Sequence, residues 1–182
     1  ILGCETLAVS VLPNKYILKG EQGIRDFAVL LNDLGLRMKK DGIQLLYHHH
    51  HMEFAKYRDK TGLDILMSET NPDYVNLEMD VYWTQKGGKN PLDVIDQYNS
   101  RIKVIHLRDY KVTLKVLRGD YVSDNCSLGK GNLNIDGIVK KAMDYAVPFI
   151  AFEENTKTPF ESIKDSFEYL STLGYSNLCN KV

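Results

Sequence analysis

Apolar and polar positions alternate along this chain between two periods. Short apolar runs, such as Ile43 to Tyr47 and Phe149 to Phe152, suit strands buried on both faces. Between such runs the spacing becomes helical. Ile24, Phe27, Leu30, Leu31, Leu34 and Met38 share one face, and Phe160, Ile163, Phe167 and Leu170 make a second stripe. Asn90 before Pro91, with Asp93 in the first turn, reads as an N-cap, and Thr158-Pro159-Phe160-Glu161 reads as a capping box. The pattern predicts strands over 5–11, 43–48, 74–80, 102–107 and 148–153. It predicts helices over 21–40, 59–69, 91–100, 135–146 and 159–173.

Strands that alternate with helices imply parallel pairing through right-handed crossovers. Five such units fit a doubly wound sheet or part of a (β/α)8 barrel. No Gly-rich phosphate fingerprint follows any strand, which counts against a dinucleotide-binding fold. A whole barrel needs about 250 residues, so 182 residues fit roughly the last five of eight units. The expected fold is therefore α/β, a partial or truncated barrel forming one domain over 1–182. Opening at Ile1 rather than Met, the chain is expected to lack N-terminal units.

Charge and cysteine usage narrow the function classes. A net charge of -1 supplies no field for nucleic acid or an anionic membrane, and no apolar run is long enough to span a bilayer. Cys4, Cys126 and Cys179 are odd in number and widely spaced, which suits free thiols in a cytoplasmic protein.

The predicted strand ends carry the chemistry. One reaches His48 and continues through His49, His50 and His51 to Glu53; the next three end at Asp80, His106 and Glu153. Parallel sheets build their sites at that edge. Four consecutive strands that each bring a carboxylate or imidazole there would bury uncompensated polar groups unless a cation used their lone pairs. Carboxylates with an imidazole suit Mn, Mg, Co or Fe(II), and Zn is compatible.

These residues resemble a known family. Tyr47-His48-His49-His50-His51-Met52-Glu53-Phe54 is similar to the YHNHxxEF motif of bacterial sugar phosphate isomerase/epimerase-like proteins, members of the xylose isomerase-like TIM barrel superfamily. Asp80-Val81-Tyr82-Trp83 with Gly87-Gly88-Lys89-Asn90-Pro91, His106-Leu107-Arg108-Asp109, Gly129-Lys130-Gly131 before Ile135-Asp136, and Phe152-Glu153-Glu154 resemble further family segments in the same order. The resemblance implies a TIM barrel with one divalent cation, held by Asp80, His106 and Glu153 and a fourth group. That group is His48, His50 or Glu53; Glu53 is favoured because a third carboxylate keeps the site hard. Arg108 stands where the motif often has Lys, and a guanidinium cannot act as a base.

On a strand His48 and His50 would share one face, so both are expected to line a substrate pocket, with His49 and His51 structural or solvent-facing. Trp83 is either core filler or a wall against the C–H face of a sugar, and Arg108 is a further substrate contact. The segment 108–134 shows no clear period and is expected to be a long loop, with Asp109, Arg118, Asp120 and Asp124 as groups in reach of a substrate. The implied activity is metal-dependent sugar isomerisation or epimerisation, by proton abstraction beside a chelated carbonyl through an enediolate, with Glu53 and Glu153 as the acid–base pair. Inosose dehydration or keto-glycoside lysis is the alternative, and a non-catalytic binding module the second. A small carbohydrate or cyclitol is the expected partner; homo-oligomer formation is left open.

Overall fold

The computed structural model describes residues 3–115 and 119–175; Arg118 and Cys179 lie outside them. Its elements are β1 (Thr6–Val9), α1 (Asn14–Ile17), α2 (Gly20–Lys40), β2 (Gln44–His48), a 3-10 turn (Met52–Phe54), β3 (Lys56–Tyr57), β4 (Lys60–Thr61), α3 (Gly62–Glu69), β5 (Val75–Asp80), α4 (Val81–Lys86), α5 (Pro91–Tyr98), β6 (Ile102–Leu107), β7 (Asp109–Lys115), β8 (Asp120–Cys126), α6 (Ile135–Asp144), β9 (Phe149–Phe152) and α7 (Pro159–Thr172). All five expected strands and all five expected helices are present, with ends trimmed by a few residues.

The five strands pair in parallel in the order β1-β2-β5-β6-β9 and curl into a half-barrel. Pairing register assigns each side chain to a face. His48 lies opposite Glu78, Asp80 opposite His106, and His106 opposite Ala151, so these residues share the concave face. The alternate positions Leu45, Tyr47, Val75, Leu77, Met79, Ile105 and Leu107 point to the helices and are almost wholly buried. There they meet Ile24, Phe27 and Leu31 of α2, Leu63 and Leu66 of α3, and Ile138 and Val139 of α6 in one core. Each such side chain contributes about 1.5–3 kcal/mol by leaving water. The close fit is visible at Gly35 of α2, where a Cβ would stand 2.7 Å from the Tyr74 carbonyl oxygen.

Caps fix several helix starts. Thr61 accepts from the Asp64 N–H at 3.1 Å while Asp64 accepts from the Thr61 N–H at 2.7 Å, and Asn90 caps α5 as expected. Thr158 corrects the sequence reading, because its side chain makes no cap bond. The stripe on α7 is also displaced: Phe160 is 87% exposed, and Ser162, Ser166 and Leu170 are the buried residues. Small hydroxyls suit that face because they dock the preceding loop, with Ser162 donating to Ser127 and Ser166 accepting from the Leu128 N–H, both at 3.0 Å.

The expected loop 108–134 is mostly an antiparallel hairpin, β7 against β8, with Asp109 opposite Cys126 and Lys115 opposite Asp120. Asp109 is buried, and its carboxylate is committed to the main chain. Its carboxylate accepts from the main-chain N–H groups of Tyr110, Gly129, Gly131 and Leu133 at 2.8–3.2 Å. A Cβ at Gly131 would stand 2.1 Å from that carboxylate, which accounts for the second glycine of Gly129-Lys130-Gly131. Asp120 accepts from the Tyr121 N–H and Asp124 pairs with Lys115.

Among the described residues no helix is long and apolar enough to cross a membrane.

Candidate metal centre

Four strand ends bring His48, Asp80, His106 and Glu153 together. One ligand atom from each lies within 4.8 Å of all the others. Parallel register does this: the side chains belong to neighbouring strands at matched heights on the concave face, and Glu153 extends β9 by donating its N–H to the Leu107 carbonyl at 3.1 Å. That spread is what oxygen and nitrogen ligands have when each sits about 2.0–2.3 Å from one cation.

Support for each group is built into the fold. Asp80 Oδ1 caps α4 by accepting from the Trp83 N–H at 2.9 Å, whereas Oδ2 is buried without a hydrogen-bond partner. His48 Nδ1 is likewise buried and unpartnered. Orphaned acceptors at the centre of a carboxylate–imidazole group fit a divalent cation, since leaving them unmet costs about 1–3 kcal/mol each. Glu153 receives Arg108 on Oε1 at 2.7 Å and His106 Nδ1 on Oε2 at 3.2 Å.

Charges follow these contacts. Burial pushes the Asp80 carboxyl up to about 6. Burial, aided by the neighbouring His106 charge, drives His48 down to about 4. For His106, burial opposes the charged ring, but hydrogen bonds to Glu153 and Glu78 outweigh it and raise the ring to about 9. The His106 hydrogen bond, with Arg108, holds Glu153 down at about 2.

The structure does not bring Glu53 into this group. Its carboxylate accepts from the Tyr47 hydroxyl and from the His50 N–H (2.9 Å). Tyr47 is one residue from His48 on the strand and therefore points to the helical face, which holds Glu53 on that side. His48 occupies the fourth place instead. His49 is structural: it is fully buried, its Nε2 accepts from the Asp80 N–H at 3.3 Å, and burial lowers it to about 3. His51 is exposed.

His50 and Trp83 stand together at the mouth, ring centroids 4.9 Å apart, with His50 5.0 Å from His48. Trp83 lies outside the hydrophobic core, and the Arg108 guanidinium lies over Tyr82 (4.3 Å) and Trp83 (5.6 Å). Tyr82 was not anticipated as part of this wall. Neither was Glu78, which is ion-paired with His106 Nε2. The signal for Glu78 was its spacing of two from Asp80 on one strand.

Residues 1–173 match the model of the xylose isomerase-like TIM barrel family. The chain belongs to that family. It is 29% identical over 126 residues to an inosose dehydratase of Clostridium beijerinckii, a match covering 69% of this chain and 41% of the relative. A sugar phosphate isomerase/epimerase from Parabacteroides distasonis superposes with a TM-score of 0.77 at 26% identity, over 96% of this chain and 59% of that one. A xylose isomerase-like TIM barrel protein from Mycobacterium smegmatis, solved in complex with magnesium, shares the fold at a TM-score of 0.70 and 16% identity, over 97% of this chain and 63% of its own. The chain thus spans about two fifths of the length of the curated relative.

Proposed function

We propose that this chain carries the metal-binding part of an enzyme that isomerises or epimerises a small sugar by moving a proton next to a carbonyl. The observation behind this reading is the convergence of His48, Asp80, His106 and Glu153 within 4.8 Å. A bound divalent cation would polarise a substrate carbonyl and acidify the neighbouring C–H.

The protein's own groups divide the remaining work. Glu153 belongs to the ligand group and, with its carboxylate held ionised by His106 and Arg108, is assigned the proton transfer. The Arg108 guanidinium donates to Glu153 Oε1 at 2.7 Å and so positions that carboxylate. His50 and Trp83 form the wall against which a sugar would lie. Glu53 is assigned a holding role, because Tyr47 and the His50 main chain occupy its carboxylate.

Dehydration is the second reading, favoured by the likeness to inosose dehydratases. Both readings begin with the same proton removal. Incubation with Mn and a panel of ketoses and inososes in deuterated water separates them by proton NMR. Deuterium at the carbon beside the carbonyl with a rearranged sugar supports isomerisation or epimerisation, and an unsaturated or deoxy product supports dehydration. Substrates that all keep their C–H bonds intact would remove both readings.

A further inference from the structure

One carboxylate, Glu78, sits against the centre without joining it. Glu78 is on β5 two residues before Asp80, on the same concave face, directly opposite His48 in the register. It is half-buried and ion-paired with His106 Nε2. The other ring nitrogen, Nδ1, faces Glu153 at 3.2 Å, within the ligand group. One ring nitrogen therefore faces Glu78, and the other faces Glu153, a carboxylate that shares the ligand group with His106. The strand is adapted at this point: the β5–β6 register shifts between Leu77 and Glu78, the kind of irregularity that re-aims a side chain beside a site.

We propose that Glu78 is a positioning residue that fixes His106 as the Nε2–H tautomer and presents Nδ1 to the cation. The inference rests on the metal-binding reading given above. An imidazole held this way by a carboxylate is a stronger and better-aimed ligand, and loss of such support typically lowers metal affinity about 10–100-fold.

Two measurements test it. In the Zn-loaded wild-type protein, two-dimensional 1H–15N NMR of the histidine rings should show a proton on His106 Nε2 and Zn on Nδ1. Zn on Nε2, or a proton on Nδ1, would overturn the proposal. Mn binding to Glu78→Ala, followed by calorimetry, should weaken about 10–100-fold, and Glu78→Gln, which keeps an acceptor for Nε2–H, should recover part of the loss. Wild-type affinity in a folded Glu78→Ala variant would also overturn it, whereas a purely structural Glu78 would lower melting temperature without moving the zinc to another nitrogen. Wild-type protein that takes up neither Zn nor Mn would remove the metal reading itself and this inference with it. Uptake with unchanged affinity in both variants would remove only the inference.

Discussion

The two faces of the β2–β5–β6 sheet are built from alternate residues of the same strands, yet they obey opposite rules. On the helical face, Leu77, Met79 and Ile105 are fully buried among apolar partners. On the concave face their neighbours Glu78, Asp80 and His106 are charged or titratable and are held by one another. The first face lowers the free energy of the fold by leaving water. The second forgoes that gain and keeps lone pairs available, as a site that binds a cation requires. A period of two lets both rules be satisfied without conflict.

Substitutions that treat the faces alike should break the comparison. The largest effect is expected from Glu153→Gln, which should abolish turnover in the deuterium-exchange assay and weaken Mn binding; full activity would count against the assignment. Next is Leu77→Ala on the other face. It should cost about 2–5 kcal/mol of stability in urea denaturation through the cavity it leaves, with Mn affinity preserved in the folded fraction. Glu53→Ala should cost about 1–3 kcal/mol, because the Tyr47 hydroxyl and the His50 N–H lose their acceptor, again without eliminating Mn binding. An Mn affinity reduced as far as in His106→Ala would restore Glu53 to the ligand set.

The last effect has the opposite sign. Asp80→Asn keeps the cap on α4 through its side-chain carbonyl but removes a buried carboxylate whose pKa is raised to about 6 from 3.8. A raised acid binds more protons folded than unfolded between those values, so its contribution to stability falls as pH rises through that interval. The metal-free Asn variant should therefore gain on the wild type from about pH 4 to about pH 6 and hold a constant advantage above it. A stability difference that is flat across that interval would sink this account of Asp80.

The sheet was legible in the sequence because short strands rich in apolar residues are separated by helical spacing. Asp80, His106 and Glu153, which the geometry groups with His48, stood out because each falls at or near the end of a predicted strand. Glu53 was misplaced because the chain turns sharply after His48: the 3-10 turn at Met52–Phe54 returns the carboxylate to the Tyr47 side, and no local pattern encodes that return. The hairpin was hidden because both its strands are largely exposed, so selection for burial wrote no alternation into them. Phe160 misled in the converse way: α7 meets the sheet at its last strand, β9, through Phe167 on Phe152, and among the described residues nothing covers the apolar residue on its outer side.

Asp80 also links the centre to an optical reporter. Its Oδ1 is bonded to the main chain of Trp83, whose indole lies beside His50, His51 and the Arg108 guanidinium. Trp83 is the sole tryptophan in the sequence. Tryptophan emission of this chain, excited beyond tyrosine absorption, is thus a single-site signal that originates one helical turn from the carboxylate capping α4, and it is where added Mn would be read without a label.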